Sequence, residues 1–357
     1  MSILSSFFSD DLAIDLGTVN TLIYTPDRGV VLNEPSAVAI NKYTGEVLSV
    51  GTEAFKLLGR EPHDTEVHRP IRNGTIDNFE VAEKMLAAFI ARAQGGHNKR
   101  SHLIIGVPGS STTLEQRSVR DAARDAKATR VDLVDEGLAA ALGAGLSFED
   151  ERAHLVLDIG GGTTNVAIIA SAAVVSSVSL RAAGNAMDEA IRDYVRSKHA
   201  MQLGERTAEE VKKELGMAHL KASAADGRRM EVVGKHLTEG LAKAVEISSQ
   251  EVCEALEPVL AEIIAGARRA IEESQPDVTA DIYRTGIILT GGGAILNGMP
   301  ERLQKELGLH VAVAEEPLMA VAHGAGRLLA NTEKLQRVSI REDIPAWQLL
   351  EEPAVNW

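Results

Sequence analysis

The sequence predicts an α/β fold built of two duplicated halves that face each other across a cleft. Three observations carry that expectation. An Asp-first, glycine-containing turn between apolar strands occurs twice, as Asp15-Leu16-Gly17-Thr18-Val19-Asn20-Thr21 and as Asp158-Ile159-Gly160-Gly161-Gly162-Thr163-Thr164-Asn165. Strand and helix patterns alternate with short links in both halves, the signature of an α/β core. A third apolar strand, Ile287-Ile288-Leu289-Thr290, runs into Gly291, Gly292, Gly293 and Ala294.

In chain order, the first hairpin spans Leu12 to Tyr24, and short strands continue to Ser49 with turns at Thr25–Gly29 and Asn41–Gly45. Val81, Met85, Leu86, Phe89 and Ile90 share one face of a helix over Glu80 to Ala93. A buried strand, Leu103 to Val107, stops at Pro108, and Thr112 or Thr113 caps the helix that runs to about Lys127. The strand Val131 to Val134 leads through Asp135-Glu136-Gly137 into an Ala-rich helix ending near Gly143. The second half repeats the scheme: a hairpin over Leu155 to Val175, then helices at Met187–His199, Thr207–Leu215, Ser249–Glu273 and Pro300–Leu307. Thr207-x-x-Glu210 reads as a capping box, and Ile295 as the start of a helix after the three glycines. After Asn331 a charged, then Pro- and Trp-containing tail reads as peripheral.

Length and composition narrow the function. At 357 residues there is room for two domains with their own cores. A net charge of −14 and 3% aromatics exclude the basic faces and stacking platforms that nucleic acids need. The single cysteine, Cys253, excludes an internal disulfide or a multi-cysteine zinc site and fits a cytoplasmic protein. Met1 to Asp11 lacks the basic start of a signal peptide, and the most apolar run, Val166 to Leu180, is too short to span a membrane.

The repeated turns point to phosphate. Glycines let the backbone approach an anion, while Thr and Asn add donors. Carboxylates cannot bind phosphate themselves, so Asp15 and Asp158 beside such turns imply a hard cation such as Mg²⁺. Two such hairpins facing each other would clamp one nucleotide from both sides.

Residues Asp15 to Tyr24, Asn33-Glu34-Pro35-Ser36, Ala139 to Leu146, Asp158 to Thr164, Leu289 to Gly293 and Glu315-x-Pro317-Leu318 resemble the actin, Hsp70 and sugar-kinase ATPase superfamily. Within it they resemble the MreB family, the rod-shape-determining bacterial actin homologues, over about residues 10–330. That resemblance implies an actin-like ATPase fold of two ribonuclease-H-like domains. They would be 1–150, with a small insert at about 33–75, and 151–330, with an insert at about 185–250, followed by the tail 331–357. It implies that Asp15 and Asp158 organise Mg²⁺, and that Gly17, Thr18, Val19, Asn20, Gly160, Gly161, Gly162 and Thr163 hold the phosphates of ATP or ADP. Gly184 would approach the phosphates or ribose, Glu209 and Lys212 the ribose and base, and Gly291, Gly292 and Gly293 the nucleoside. Glu136 would position the attacking water, assisted by Thr164.

The same resemblance implies a filament that assembles with itself as paired protofilaments through the helix around Glu115 to Arg124. The filament would lie at the inner face of the cell membrane, through Ile3, Leu4, Phe7 and Phe8, and organise the cell-wall elongation machinery. The sugar-kinase branch of the superfamily is the alternative. Three departures stand out: Gly137 replaces the family's proline, Asn165 its acid, and Ala183-Gly184-Asn185 its Gly-Gly-Asp. Proline to glycine loosens the turn that would fix Glu136, so the expectation is retained binding with slow hydrolysis.

Overall fold

The computed structural model describes residues 11–95, 101–219 and 227–341. The expectations for Ile3, Leu4, Phe7 and Phe8 lie outside those residues.

Two five-stranded sheets of identical order frame the molecule. In the first, Leu12–Leu16, Asn20–Thr25 and Gly29–Pro35 form an antiparallel meander, and Ser101–Val107 and then Ala128–Asp135 add in parallel beyond Leu12–Leu16. In the second, His154–Ile159, Thr164–Ala170 and Ala173–Leu180 make the meander, and Ile287–Thr290 and then Val311–Val313 add in parallel. The hairpins close at Leu16↔Thr21 and Ile159↔Thr164, so each Asp stands one position before a turn of equal length. Duplication therefore holds at the level of register.

Strand alternation divides the core. Leu12 and Ile14 point to one face of the first sheet, against Met85, Leu86 and Phe89 of the helix Phe79–Ala93. Ala13, Ile104 and Val134 point to the other, where they meet Val156, Ala167 and Ile169 of the second sheet. Between the sheets lie the helices Glu136–Gly143 and Ala320–Leu329, each following the last strand of its half. They cross so closely that a Cβ on Gly143 would collide with the Ala320 carbonyl, and one on Gly324 with that of Ala139. Only glycine fits at that crossing. Two small three-stranded sheets flank the cleft: Val38–Asn41 with Val47–Val50 and Thr65–His68, and Arg229–His236 with Ala242–Ser248 and Met201–Gln202.

Local chemistry sets the helix starts. Thr112 and Glu115 form a reciprocal capping box for Thr113–Asp125, as Ser248 and Glu251 do for Ser249–Glu272. Three expectations are corrected. Thr207 lies inside the helix Glu205–Leu215, which follows Gly204 without a side-chain cap, because Glu205 and Arg206 continue the helical run. No helix opens at Ile295: a single 3₁₀ turn, Gly292–Ile295, ends there, and the next helix waits until Met299–Leu307. The chain after Asn331 is not peripheral up to Arg341, since Thr332–Val338 is a helix whose Leu335 is buried against the core between the sheets. Among the described residues no helix is long and apolar enough to cross a membrane.

Candidate functional site

The two repeated turns meet. A Cβ on Gly161 would run into the Val19 side chain, and one on Gly162 into that of Thr18. Side chains there would hold the halves apart; glycines let them touch. Each turn is also tied to its surroundings. The Gly17 carbonyl accepts from the Ser36 hydroxyl at 2.6 Å, and the Thr18 hydroxyl accepts from the Gly74 N–H at 3.0 Å. Asn20 donates to Asn33 Oδ1 at 2.9 Å. Opposite, the Gly160 and Gly161 carbonyls accept from the N–H groups of Gly184 and Asn185 at 3.0 and 2.7 Å. Those residues open the helix Gly184–His199, which has no side-chain cap, so its positive end faces the turn.

The third glycine run completes the wall. Gly291 has φ 78°, and a Cβ there would strike the Ile159 carbonyl, so the chain can leave Thr290 this way only as glycine. The Thr290 hydroxyl donates to Asp158 Oδ1 at 2.9 Å. Together these elements line a cavity of about 530 Å³, within the range of sites that take small molecules and cofactors. Every residue expected at the site lines it except Thr164.

Thr164 is a correction. Its hydroxyl is fully buried and donates to the Ala182 carbonyl at 2.6 Å, because alternation along Thr164–Ala170 turns it away from the cleft. Its neighbour Asn165 faces Glu136 instead and donates to Glu136 Oε2 at 2.7 Å. Glu136 is also less loose than Gly137 suggests. Asp135 caps its helix by accepting from the Leu138 N–H at 2.9 Å, and a Cβ on Gly137 would collide with Ala167. Glu209 and Lys212 do not pair with each other. Glu209 pairs with Lys213 at 2.7 Å, whereas Lys212 reaches Asp188 and the Gly184 carbonyl, both at 2.8 Å.

Charge is the site's most telling property. Asp15, Asp158 and Glu136 converge on the cavity, and among the described residues none has a cationic partner. Burial and the neighbouring Asp158 push Asp15 up to about 7, and burial pushes Asp158 up to about 6. Glu136 is raised well above the usual carboxylate range by burial, then by Asp15, Asp158 and Asp135, against the Asn165 hydrogen bond. Such a cluster is costly unless something positive joins it.

Sequence reasoning missed the far wall and the mouth. Phe55, Leu58, Met187, Ile295 and Leu318 add apolar surface. Across the opening, Arg69 Nη1 meets Glu205 Oε1 at 2.7 Å, and the Arg206 guanidinium lies 6.0 Å from the centre of the Phe55 ring. These contacts join elements more than a hundred residues apart, so no local pattern announces them.

A family model described as MreB/Mbl protein matches residues 9–337. The chain belongs to the MreB/Mbl family. Curated MreB/Mbl relatives include the cell shape-determining protein MreB of Escherichia coli K12, 42% identical over 328 residues, covering 90% of this chain and 94% of that protein. The cell shape-determining protein Mbl of Bacillus subtilis 168 is 39% identical over 333 residues, covering 92% and 98%. An MreB crystal structure from Spiroplasma citri, bound to AMPPNP, superposes with a TM-score of 0.86 at 32% identity, covering 92% of this chain and 98% of that one. A MamK double helical filament, at 22% identity, shares the fold with a TM-score of 0.76 over 90% of this chain. The fold is thus the actin-like one, and this is an actin-like cytoskeletal protein of the shape-determining MreB/Mbl kind.

Proposed function

We propose that this chain binds ATP with Mg²⁺ between its two hairpins, polymerises in that state and hydrolyses the nucleotide slowly. The observation that carries the reading is the contact between the two glycine turns beside three carboxylates that lack a cation. Two crystal structures of a 32% identical relative are bound to AMPPNP and to ADP, which supports an adenine nucleotide as the ligand of this chain.

The residues fit a cation of the Mg²⁺ type. Among the described residues no group of three or more His, Cys, Asp or Glu could hold a metal by itself. Mg²⁺ characteristically rests on one or two carboxylates, substrate phosphates and water, and Asp15 and Asp158 would be those carboxylates. When bound, it would neutralise charge on the phosphates. Around it, Gly17 to Asn20 and Gly160 to Thr163 would donate to phosphate oxygens, and the end of the helix Gly184–His199 would add its dipole. Gly291 to Gly293 would pass along the nucleoside, with Lys212 holding Gly184 in place and Glu209 near the ribose. Glu136 would accept a hydrogen bond from the attacking water and align it, with Asn165 fixing the carboxylate plane. Phosphoryl transfer rewards such positioning. The raised affinity of Glu136 for a proton, with no acidic partner at Asn165, is consistent with slow turnover.

At the cellular level the filament would lie against the inner membrane face and organise cell-wall synthesis, with Ile3, Leu4, Phe7 and Phe8 as the lipid contact. Each buried apolar side chain contributes roughly 1.5–3 kcal/mol, so subunits bind weakly and a polymer binds by avidity. Loss of vesicle co-sedimentation on deleting residues 2–8 tests that contact. The catalytic assignment is tested by Glu136→Gln. Nucleotide-dependent pelleting should persist while phosphate release drops at least tenfold; unchanged release would remove Glu136 from the role. The sugar-kinase alternative has no support among these relatives.

A further inference from the structure

With a nucleotide bound as proposed, the nucleoside lies along Gly291 to Gly293. The cavity wall continues from there through Ile295, Leu296 and Asn297 to Gly216, just past the helix Glu205–Leu215. These stretches belong to neither large sheet. One rung stitches them together: Met217 and Asn297 form an isolated parallel bridge, and the Ala218 N–H donates to the Asn297 carbonyl at 2.8 Å. The approach is close, for a Cβ on Gly216 would strike the Lys212 carbonyl and the Leu296 side chain. A rung without a ladder holds little by itself.

Arg302 reinforces it. This residue stands on the helix Met299–Leu307, and its side chain is only 12% exposed. Its Nη1 donates to the Ala218 carbonyl at 3.3 Å. The same guanidinium closes as a fork on Glu257, Nη1 to Oε2 at 2.8 Å and Nη2 to Oε1 at 2.6 Å, while Nε lies 3.2 Å from Glu306 Oε1. Glu257 belongs to the helix Ser249–Glu272, whose Leu256, Leu260 and Ile263 are buried in the core of the second half. A bidentate Arg–carboxylate pair is short and directional, and lysine cannot reproduce it. Joining two helices needs only the fork. The bond to Ala218 adds the cavity wall to the joint, so one planar group anchors that wall to the core.

We propose that Arg302 is a positioning residue for the nucleoside of the bound nucleotide. It does not line the cavity itself; it fixes the Gly216–Ala218 stretch against Leu296 and Asn297, which do. The inference rests on the nucleotide reading and goes beyond it, by separating the two ends of the site. The phosphate end owes nothing to Arg302, since the hairpin turns, Asp158 and Glu136 are held by Ser36, Gly74, Thr290 and Asn165.

Arg302→Met keeps an unbranched side chain and removes the fork. In the full-length protein, titration calorimetry with ATP and Mg²⁺ should show roughly fivefold weaker binding, about what one net hydrogen bond is worth. Phosphate release at saturating ATP should stay within about twofold of the parent, because the group that aligns the water is untouched. A loss of folded protein alone gives the opposite split, with fewer sites and slower release at unchanged affinity. Arg302→Lys, which keeps the charge without the fork, should weaken ATP in the same sense and carries the comparison if the methionine variant misfolds. Unchanged affinity in a folded variant, or release slowed in proportion to affinity, would overturn the inference while leaving the nucleotide reading intact. A parent protein that binds no ATP would overturn both.

Discussion

Replacing Asp158 by Asn should make the nucleotide-free protein more stable and its site useless. Asp158 is buried, its Oδ1 accepts from Thr290 at 2.9 Å, and burial raises it from 3.8 to about 6. The folded state therefore keeps a proton that the unfolded chain releases. Stability falls as pH climbs from about 4 to about 6 and then stays down. The shift corresponds to about 3 kcal/mol at pH 8 and about 1 kcal/mol at pH 4.5. An amide oxygen still accepts from Thr290, so Asp158→Asn removes this charge penalty without orphaning the hydroxyl. It also relieves Asp15, which Asp158 helps to raise. Urea unfolding in chelator at both pH values measures the difference. The variant should gain about 3 kcal/mol at pH 8 and about 1 at pH 4.5, while losing Mg²⁺-dependent nucleotide affinity. Equal or lower stability at pH 8 would refute the view that burial makes the Asp158 charge costly in the nucleotide-free protein.

Two further substitutions test the glycine contacts. Gly161→Ala should push the hairpins apart and weaken ATP at least tenfold, about 1.4 kcal/mol; Val19→Ala, which removes the colliding methyl groups, should recover much of that loss in a calorimetric titration. Gly324→Ala should cost about 1–3 kcal/mol by overpacking the helix crossing at Ala139, read as a lower unfolding midpoint; an unchanged midpoint would mean the crossing is looser than the structure has it.

The frame was legible because its signals are local and repeated. Asp15 and Asp158, each one position before a turn of equal length, disclosed a duplication that the shared sheet order bears out. Helix faces such as Val81, Met85, Leu86 and Phe89 were equally plain, since burial imposes the period. Failures came where one residue decides between close alternatives. Thr164 and Asn165 are adjacent, and only the pleat says which faces Glu136. Gly137 looked like a loss of rigidity because its packing on Ala167 is invisible along the chain. Thr207 matched a capping pattern, yet helix geometry started earlier, at Glu205. The tail read as peripheral because Leu335 and Ile340 find their partners far back in the chain, Leu335 in the core between the sheets and Ile340 at Leu133.

The most direct measurement is ATP affinity of the purified full chain by titration calorimetry, in Mg²⁺ and in chelator, for the parent and for Asp15→Asn. Two apposed hairpins flanked by the buried carboxylates Asp15 and Asp158 predict binding at least tenfold tighter with Mg²⁺ in the parent and no Mg²⁺ dependence in the variant. Absence of ATP binding, or the same affinity with and without Mg²⁺ in the parent, would contradict the account.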